Sequence, residues 1–438
     1  MSQPMLYTST RGNAPAIPAD AALRAGAAPD GGLYLPETLP RFSAGDFAGA
    51  DGLGDLGARL LAPFFAGSRL DGAIEAICRD AFDFPAPQIA LDQGEAGTLN
   101  VLELFHGPTG AFKDFGARFL FRAFSALGQD EDGPVTVLVA TSGDTGGAVG
   151  CAAEGLAGTR AVILYPKGRI SAFQEHQLCC WKPPVDAARV AGDFDTCQAL
   201  VKSAFADPAL RARHRLTSAN SISIGRFLPQ MVYWARAALD AEARTGIAPG
   251  LIIPTGNLGN AFAAVMARAC GLPIGPIVLA TNANGTLADW FASGRYEARP
   301  SIATLANAMD VGAPSNFERL DHFGEDLIEA VFRVEDSDIR ARMRVVHDAT
   351  GYVACPHTAT AIEAFNRLPD ATRKTRPWIA GATAHPGKFA DIVEPEIGTP
   401  VALPPALAAV LERPVRVSDI DGTLDALEAI LDGTVLAG

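Results

Sequence analysis

The chain has 438 residues, of which 48% are hydrophobic and 19% charged, so it can bury a large core and does not have the composition of a disordered chain. Its net charge of −13 argues against broad binding to nucleic acid or to anionic membranes. No run reaches the roughly 18 apolar residues of a transmembrane helix, and the N-terminus lacks the pattern of a signal peptide, so we expect a cytoplasmic protein.

Residues 1–95 are interrupted by many glycines and prolines, as in PDGGLYLPETLP and DGLGDLG. Between these breaks lie segments such as LDGAIEAICRDAF, in which apolar residues recur with a helical period. The pattern predicts a small, mainly helical N-terminal unit.

From about residue 96 the pattern changes to short apolar runs that alternate with longer helical segments. The runs span 134–141, 160–166, 250–255, 275–281 and 376–383. Each is bounded by turn-forming residues, which is typical of buried parallel strands. Strand–loop–helix alternation predicts an α/β fold with largely parallel sheets, whose ligands bind beyond the carboxyl ends of the strands.

The first candidate for chemistry is Lys113, in the segment FHGPTGAFKDFG. A lysine between two phenylalanines is partly desolvated, and desolvation lowers its pKa. A lysine of lowered pKa suits a Schiff-base nucleophile or a general base. The alternative is a surface lysine that pairs with Asp114.

Two glycine-rich loops follow predicted strands and precede predicted helices. The first contains residues 142–147, SGDTGG, and the second contains residues 256–260, GNLGN. Backbone N–H groups and a helix N-terminus make such loops suitable for a phosphate or a carboxylate. Neither loop carries a nucleotide-binding signature, and an ordinary capped turn remains the alternative for each.

Four further residues are candidates because they lie at the end of a predicted strand or in segments whose pattern is not typical of a buried core. Thr383 ends the last apolar run, and Arg226 follows the small polar residues of SANSISIG. Asn307 and Asn316 lie in TLANAMDVGAPSN. For each of them a purely structural role is an open alternative.

The seven cysteines form no CxxC pair and their number is odd, which favours a reducing compartment. The seven histidines show no HExxH spacing. We therefore expect no metal site.

Taken together, these segments resemble the threonine synthase family, whose members depend on pyridoxal 5'-phosphate (PLP) and share the fold of the tryptophan synthase β subunit. The resemblance covers nearly the whole chain. It is carried by YTSTRG, DGGLYLPE, LELFHGPTGAFKDFG, TSGDTGGAV, LYPKGRIS, GDFDTCQALV, NSISIGR, TGNLGN, TLANAMDV and TAHPGKF.

The resemblance implies roles for residues at matching positions. Lys113 forms the Schiff base with PLP, Thr383 contacts the pyridine nitrogen, and Asp144 lies beside the ring. The cofactor phosphate is held by a loop that consists of Gly256, Asn257, Leu258, Gly259 and Asn260.

The resemblance also implies substrate-binding residues. Ser142 and Thr145 lie in the loop that binds the substrate carboxylate. Arg226 and Asn307 are assigned to the substrate, chiefly to its phosphate, and Lys167 is a weaker candidate for the same role.

The implied fold consists of two three-layer α/β/α domains with a PLP cleft, at 96–245 and 246–438, after the N-terminal unit at 1–95. The implied reaction converts O-phospho-L-homoserine and water to L-threonine and phosphate, in a cytoplasmic monomer or homodimer. The alternatives are a PLP-dependent serine or threonine dehydratase and a PLP-binding homologue without activity.

Two departures from the family pattern stand out. The phosphate loop reads NLGN where relatives of this branch commonly have NFGD, and PHTATA replaces the usual PHAAVA. Neither change affects Lys113, so we expect an active enzyme.

Overall fold

The computed structural model describes residues 4–92, 98–128, 133–141, 143–168, 170–324 and 326–434. The N-terminal part combines a three-stranded antiparallel sheet, of order β2–β1–β3, with three α-helices. Its elements are β1 (Leu6–Ser9), β2 (Ile17–Pro18), α1 (Ala19–Ala25), β3 (Tyr34–Pro36), α2 (Gly52–Leu61) and α3 (Ile74–Ala81). This sheet was not predicted from the sequence because its strands are at most four residues long and lie among turn-forming residues.

The next part of the chain alternates strands and helices. Its elements are β4 (Gln88–Asp92), β5 (Thr98–Glu103), α4 (Lys113–Gly128), β6 (Val135–Ala140), α5 (Asp144–Ala153), β7 (Thr159–Pro166), α6 (Ala172–Cys179), β8 (Val185–Val190), α7 (Phe194–Ala206), α8 (Pro208–Arg213), β9 (Leu216–Thr217), α9 (Ile224–Phe227) and α10 (Met231–Thr245).

The C-terminal part continues the alternation. Its elements are β10 (Gly250–Pro254), α11 (Gly259–Ala269), β11 (Ile277–Thr281), α12 (Thr286–Ser293), α13 (Phe317–Phe323), β12 (Ala330–Arg333), α14 (Asp336–Thr350), α15 (Pro356–Arg367), α16 (Asp370–Arg373), β13 (Trp378–Ala382), α17 (Ala390–Ile397), α18 (Pro405–Leu411), β14 (Ser418–Ile420) and α19 (Leu424–Leu431).

Two largely parallel sheets organise these elements. The larger has six strands in the order β12–β11–β10–β13–β5–β4, in which only β4 runs antiparallel. The smaller has five parallel strands in the order β14–β8–β7–β6–β9. The predicted α/β fold is therefore confirmed, and all five predicted apolar runs form central strands of these two sheets.

The sheets cross the domain boundaries that we predicted. Strand β5, placed in 96–245, pairs with β13 in the larger sheet. Strand β14, placed in 246–438, pairs with β8 in the smaller sheet. Each of the two predicted segments therefore contributes one strand to the sheet of the other segment. Only long-range backbone hydrogen bonds determine this exchange, so the sequence did not reveal it.

Helix α5, which begins at Asp144, packs closely against the segment that follows α6. A Cβ atom on Gly150 would lie 2.1 Å from Cδ1 of Trp181, so a larger residue at position 150 would force the two segments apart. Among the described residues, none of the helices has both the length and the apolar character to cross a membrane.

Candidate active site

Three strands of the larger sheet direct their carboxyl ends to one edge. Strands β5, β13 and β10 are neighbours and run parallel. They are followed by the segment 104–112, by Thr383 and by the loop 255–258. Because ligands of open α/β sheets bind at this edge, the fold gathers three predicted site segments in one place.

Backbone hydrogen bonds join the Lys113 segment to the Thr383 segment. The N–H of Phe112 donates to the carbonyl oxygen of Thr383 at 2.9 Å, and the N–H of His385 donates to that of Gly110 at 2.9 Å. Lys113 and Thr383 are therefore near neighbours although 270 positions separate them in the sequence.

Lys113 begins α4 and does not pair with the adjacent carboxylate. Asp114 is fully buried, and its oxygens accept hydrogen bonds from the backbone N–H (2.9 Å) and the hydroxyl (2.7 Å) of Thr109. Asp114 therefore shapes the turn before the helix. This contradicts the alternative of a surface Lys113–Asp114 pair.

The surroundings of Lys113 favour its neutral amine. Burial lowers the pKa of Lys113 to about 8; the carboxylate of Asp144 opposes this shift, and the charges of Arg226 and Lys388 add to it. The amine is therefore mostly neutral above about pH 8, as a nucleophile or a proton acceptor requires.

The SGDTG loop contributes a buried carboxylate. Ser142 lies outside the described residues, and Thr145 is partly buried. The Oδ1 atom of Asp144 lies 2.8 Å from Nζ of Lys388, and both side chains are almost fully buried. Burial acts to raise the pKa of Asp144, but the charges of Lys388 and Lys113 outweigh it and lower the pKa to about 2. Asp144 is thus ionised at neutral pH.

The loop 255–258 has the geometry of an anion site. Leu258 is buried and has a φ of +63°, so the chain turns sharply before the eleven-residue helix α11. The first N–H groups of a helix have no partner within the helix and carry partial positive charge, so they suit a phosphate.

Asn260 holds this loop rather than offering its side chain to a ligand. Its Oδ1 accepts from the hydroxyl of Thr255 and the N–H of Ala261, both at 2.8 Å, and its Nδ2 donates to the carbonyl of Pro254 at 3.0 Å. An aspartate has no N–H for that last bond. The departure from NFGD to NLGN therefore gives the loop a hydrogen bond that the common residue cannot make.

Gly256 permits a neighbouring segment to pack against the loop. A Cβ atom there would lie 2.8 Å from Cα of Met309. The segment around Met309 includes Asn307, which is exposed, and Ala308, whose N–H donates to Nε2 of His357 at 3.1 Å. Asn307 is therefore at the rim of this region, and its role in substrate binding stays a prediction.

A buried network ties the loop to the N-terminal part of the chain. Nδ2 of Asn316 donates to the carbonyl of Asn257 at 2.9 Å, and its Oδ1 accepts from Nη1 of Arg319 at 2.6 Å. The guanidinium of Arg319 also donates to the carbonyl of Tyr34 at 3.0 Å. Ser221 completes the network by accepting from Nδ2 of Asn257. Both Asn316 and Arg319 are fully buried.

We expect the Asn316→Ala variant to bind PLP about tenfold more weakly and to lose about 2 kcal/mol of unfolding free energy, because a buried Arg319 donor loses its acceptor. Absorbance titration with PLP and denaturant unfolding measure the two effects. Asn366→Ala is the control, since Asn366 makes one hydrogen bond to the Ile362 carbonyl. Equal PLP affinity in the two variants would contradict this role.

Arg226 and Ser223 present buried polar atoms without partners. Arg226 is 3% exposed and Ser223 is fully buried. Nη1 of Arg226 donates to the carbonyl of Ala219, whereas its Nε and the Ser223 hydroxyl have no hydrogen-bond partner among the described residues. Burial lowers the pKa of Arg226 to about 10, so it remains a cation at neutral pH. Unsatisfied buried donors are costly, and an anionic ligand would satisfy them.

Lys167 is engaged elsewhere. Its exposed ammonium lies 3.1 Å from Oδ2 of Asp419, at the end of β7. This contact pairs Lys167 with a carboxylate at the surface, and its role at the substrate phosphate stays a prediction.

Lys388 and His357 were not predicted from the sequence. The charge of Lys388 lowers the pKa of Lys113, and the pKa of His357 is lowered by burial and also shifted by the charges of Asp144 and Lys113. A signal was present, since Lys388 lies in the quoted segment TAHPGKF and His357 in PHTATA. Lys388 is followed by Phe389, and an aromatic neighbour is part of the signal that selected Lys113.

The residues present fit a phosphorylated aldehyde. Lys113 supplies a buried amine of lowered pKa, and the 255–258 loop with α11 supplies backbone donors for a phosphate. Both lie at the same sheet edge as Thr383.

Comparison with known proteins supports this assignment. The family of pyridoxal-phosphate dependent enzymes matches residues 85–377, and families for the threonine synthase N terminus and C-terminal region match residues 6–82 and 358–431. A threonine synthase from Haemophilus influenzae is 37% identical over 94% of this chain and 95% of its own length.

Solved structures agree. PLP-bound threonine synthase from Brucella melitensis has a TM-score of 0.90 and 33% identity over 98% of this chain and 99% of its own. The Escherichia coli enzyme has a TM-score of 0.87 and 34% identity, covering 98% of this chain and all of its own. The chain therefore belongs to the threonine synthase family of PLP-dependent enzymes.

Proposed function

We propose that this enzyme converts O-phospho-L-homoserine and water to L-threonine and phosphate. The observation that carries the proposal is the presence of two separate places for anions around one buried amine. The loop 255–258 suits the cofactor phosphate, and the unpartnered donors of Ser223 and Arg226 suit a second phosphate, on the substrate. The charge of Arg226 contributes to the lowered pKa of Lys113, which supports a second anion site near the amine.

PLP supplies an electron sink when bound. Lys113 would hold its aldehyde, the backbone of Gly256–Asn260 its phosphate, and Thr383 its pyridine nitrogen. A hydroxyl at that nitrogen, unlike a carboxylate, does not hold a proton there, and this restrains side reactions such as transamination.

Lys113 also handles protons. With PLP bound, the free amine of Lys113 would be positioned to remove the α-proton and then a β-proton of the substrate, and to return protons to the α- and γ-carbons, for which a pKa of about 8 is suitable. Arg226 and Ser223 bind the substrate phosphate until it leaves the γ-carbon, and water adds at the β-carbon. Ser142 and Thr145 are proposed to bind the substrate carboxylate, and Asn307 to complete the phosphate site.

One assay tests the reaction. Purified, PLP-loaded protein is incubated with O-phospho-L-homoserine, and phosphate and threonine are both measured. We expect equal amounts of the two products. A ketoacid formed in parallel incubations with serine or threonine, with no phosphate released from O-phospho-L-homoserine, would indicate a dehydratase, and no product from a loaded protein would indicate a PLP-binding homologue.

The Thr383→Val variant tests the contact at the pyridine nitrogen. Valine has nearly the same shape but no hydroxyl, so we expect PLP to stay bound and kcat to fall about tenfold, the equivalent of one hydrogen bond. Steady-state kinetics and the visible spectrum measure the two effects. Thr159→Val removes a threonine hydroxyl that donates to the Leu156 carbonyl in the smaller sheet, and it is expected to leave kcat unchanged. Identical kcat in the wild type and Thr383→Val would exclude Thr383 from the site.

We propose that the enzyme works in the cytoplasm as a monomer or homodimer. All seven cysteines are unpaired and six of them are buried, which suits a reducing compartment.

A further inference from the structure

A buried ion pair joins a segment that follows the larger sheet to a segment that follows the smaller sheet. Lys388 lies in the short 3₁₀ helix Pro386–Phe389, which follows β13 of the larger sheet. Asp144 begins α5, which follows β6 of the smaller sheet. The two side chains are 0% and 4% exposed, and Nζ lies 2.8 Å from Oδ1.

The same ammonium also binds the segment that leads to Lys113. Nζ of Lys388 donates to the carbonyl of Thr109 at 2.8 Å. Gln177, on α6 of the smaller sheet, donates to that carbonyl at 3.3 Å. Thr109 in turn is bound by Asp114, the residue after Lys113. Donors from both domains therefore meet on one carbonyl four residues before Lys113.

A fully buried ammonium is retained only where its environment compensates for lost hydration. Here a carboxylate and a carbonyl do so, and neither partner belongs to the element that carries Lys388. The pair is thus a contact between domains and not a local support of its own helix.

We propose that Lys388 is a positioning residue for the reaction of Lys113: through Asp144 and Thr109 it fixes the segment that carries the amine, and its charge cancels that of Asp144 beside the amine. The proposal deepens the proposed function, but it depends only on the binding of PLP to Lys113.

The charges that face Lys388 come from several elements. The titratable groups that it influences are Lys113, Asp114, Asp144, His357 and His385. Burial lowers the pKa of both histidines to about 4, so both are neutral at pH 7. Burial raises the pKa of Asp114 to about 6, and Arg226 adds a fixed positive charge near Lys113.

These charges determine the direction in which loss of Lys388 shifts the pKa of Lys113. A positive charge near Lys113 disfavours its protonated form and lowers its pKa, whereas the negative charge of Asp144 raises it. Replacing Lys388 by methionine removes a positive charge that lowers the pKa of Lys113, and leaves the negative charge of Asp144, which raises this pKa, without compensation. Replacing Asp144 by asparagine at the same time removes both charges, so the protonation of the nitrogen returns toward that of the wild type.

The test is a pH titration of the visible absorbance of the PLP-loaded protein, which reports protonation at the Lys113 nitrogen. We expect the midpoint to rise by about one pH unit in Lys388→Met and to return close to the wild-type value in Lys388→Met/Asp144→Asn. Lys374→Met is the matched control, because Lys374 is an exposed lysine that pairs with Asp370. An unchanged midpoint in Lys388→Met would overturn the proposal.

The kinetic readout separates positioning from a merely structural role. The acid limb of the kcat profile should move to higher pH with the spectroscopic midpoint, and Lys388→Arg should restore part of both. If Lys388→Met fails to bind PLP, PLP binding by Lys388→Met/Asp144→Asn is the test. Restored binding would support the proposal that Lys388 compensates the charge of Asp144, and a failure to bind would overturn that proposal. Because the titration needs no substrate, it stands even if no threonine is formed from O-phospho-L-homoserine.

Discussion

The Lys113→Ala variant is expected to lose the visible absorbance of bound PLP and, at the same time, to lose threonine formation by at least roughly a thousandfold. Alanine removes the only atom that can bond covalently to the cofactor aldehyde at this position. It also removes the group that moves protons between substrate carbons. Both losses follow from one nitrogen, so they are expected together.

The variant should otherwise be well folded. Lys113 is the first residue of α4, and its pKa is lowered by burial, so removing its charge eliminates a buried group that the fold does not need. The measurements are the absorbance spectrum with PLP, the rate of phosphate release, and denaturant unfolding. Lys202→Ala on the exposed face of α7 serves as the control. Normal turnover by Lys113→Ala would remove Lys113 from the mechanism.

The second large effect is expected from Arg226→Met. We expect kcat/KM for O-phospho-L-homoserine to fall by about a hundredfold or more, because a buried charge that binds a phosphate is worth roughly 2–5 kcal/mol. PLP should still bind, since the cofactor phosphate is assigned to the 255–258 loop. The variant therefore separates the two proposed phosphate sites.

The controls for Arg226 address its structural role. Nη1 donates to the Ala219 carbonyl, so Arg226→Met also loses a hydrogen bond inside the fold. Arg226→Lys keeps the charge without the planar fork and should recover part of kcat/KM. Unfolding measurements and the PLP spectrum show whether each variant is folded. Wild-type kcat/KM in a folded Arg226→Met would assign the substrate phosphate elsewhere.

Much of the fold could be predicted from the sequence because the signals are local. The run 134–141 reads as a buried strand from its own residues, and it forms β6. The glycine-rich turns after β6 and β10 also lie where they were predicted. The short strands β1 to β3 escaped prediction because two to four residues carry too little periodic pattern.

Some residues of the candidate site could likewise be predicted from local sequence signals, whereas others depend on long-range contacts. Lys113 and the GNLGN loop stand out in the sequence because a lysine among aromatics and a glycine-rich turn each have a local physical meaning. Asn316 does not stand out as a support of the loop, because its value lies in reaching Asn257 on one side and Arg319 on the other.

By itself, the sequence determined the class of fold and the family to which the chain belongs, and it predicted the residue that binds the cofactor, since each depends on short runs of neighbouring residues. The tertiary structure alone decided that β5 and β14 cross between the domains and that Lys388 meets Asp144. The physical reason is distance along the chain. Asp144 and Lys388 are 244 positions apart, so no local pattern in the sequence indicates that they pair. The pair forms only when the fold brings the two side chains together and excludes water from around them.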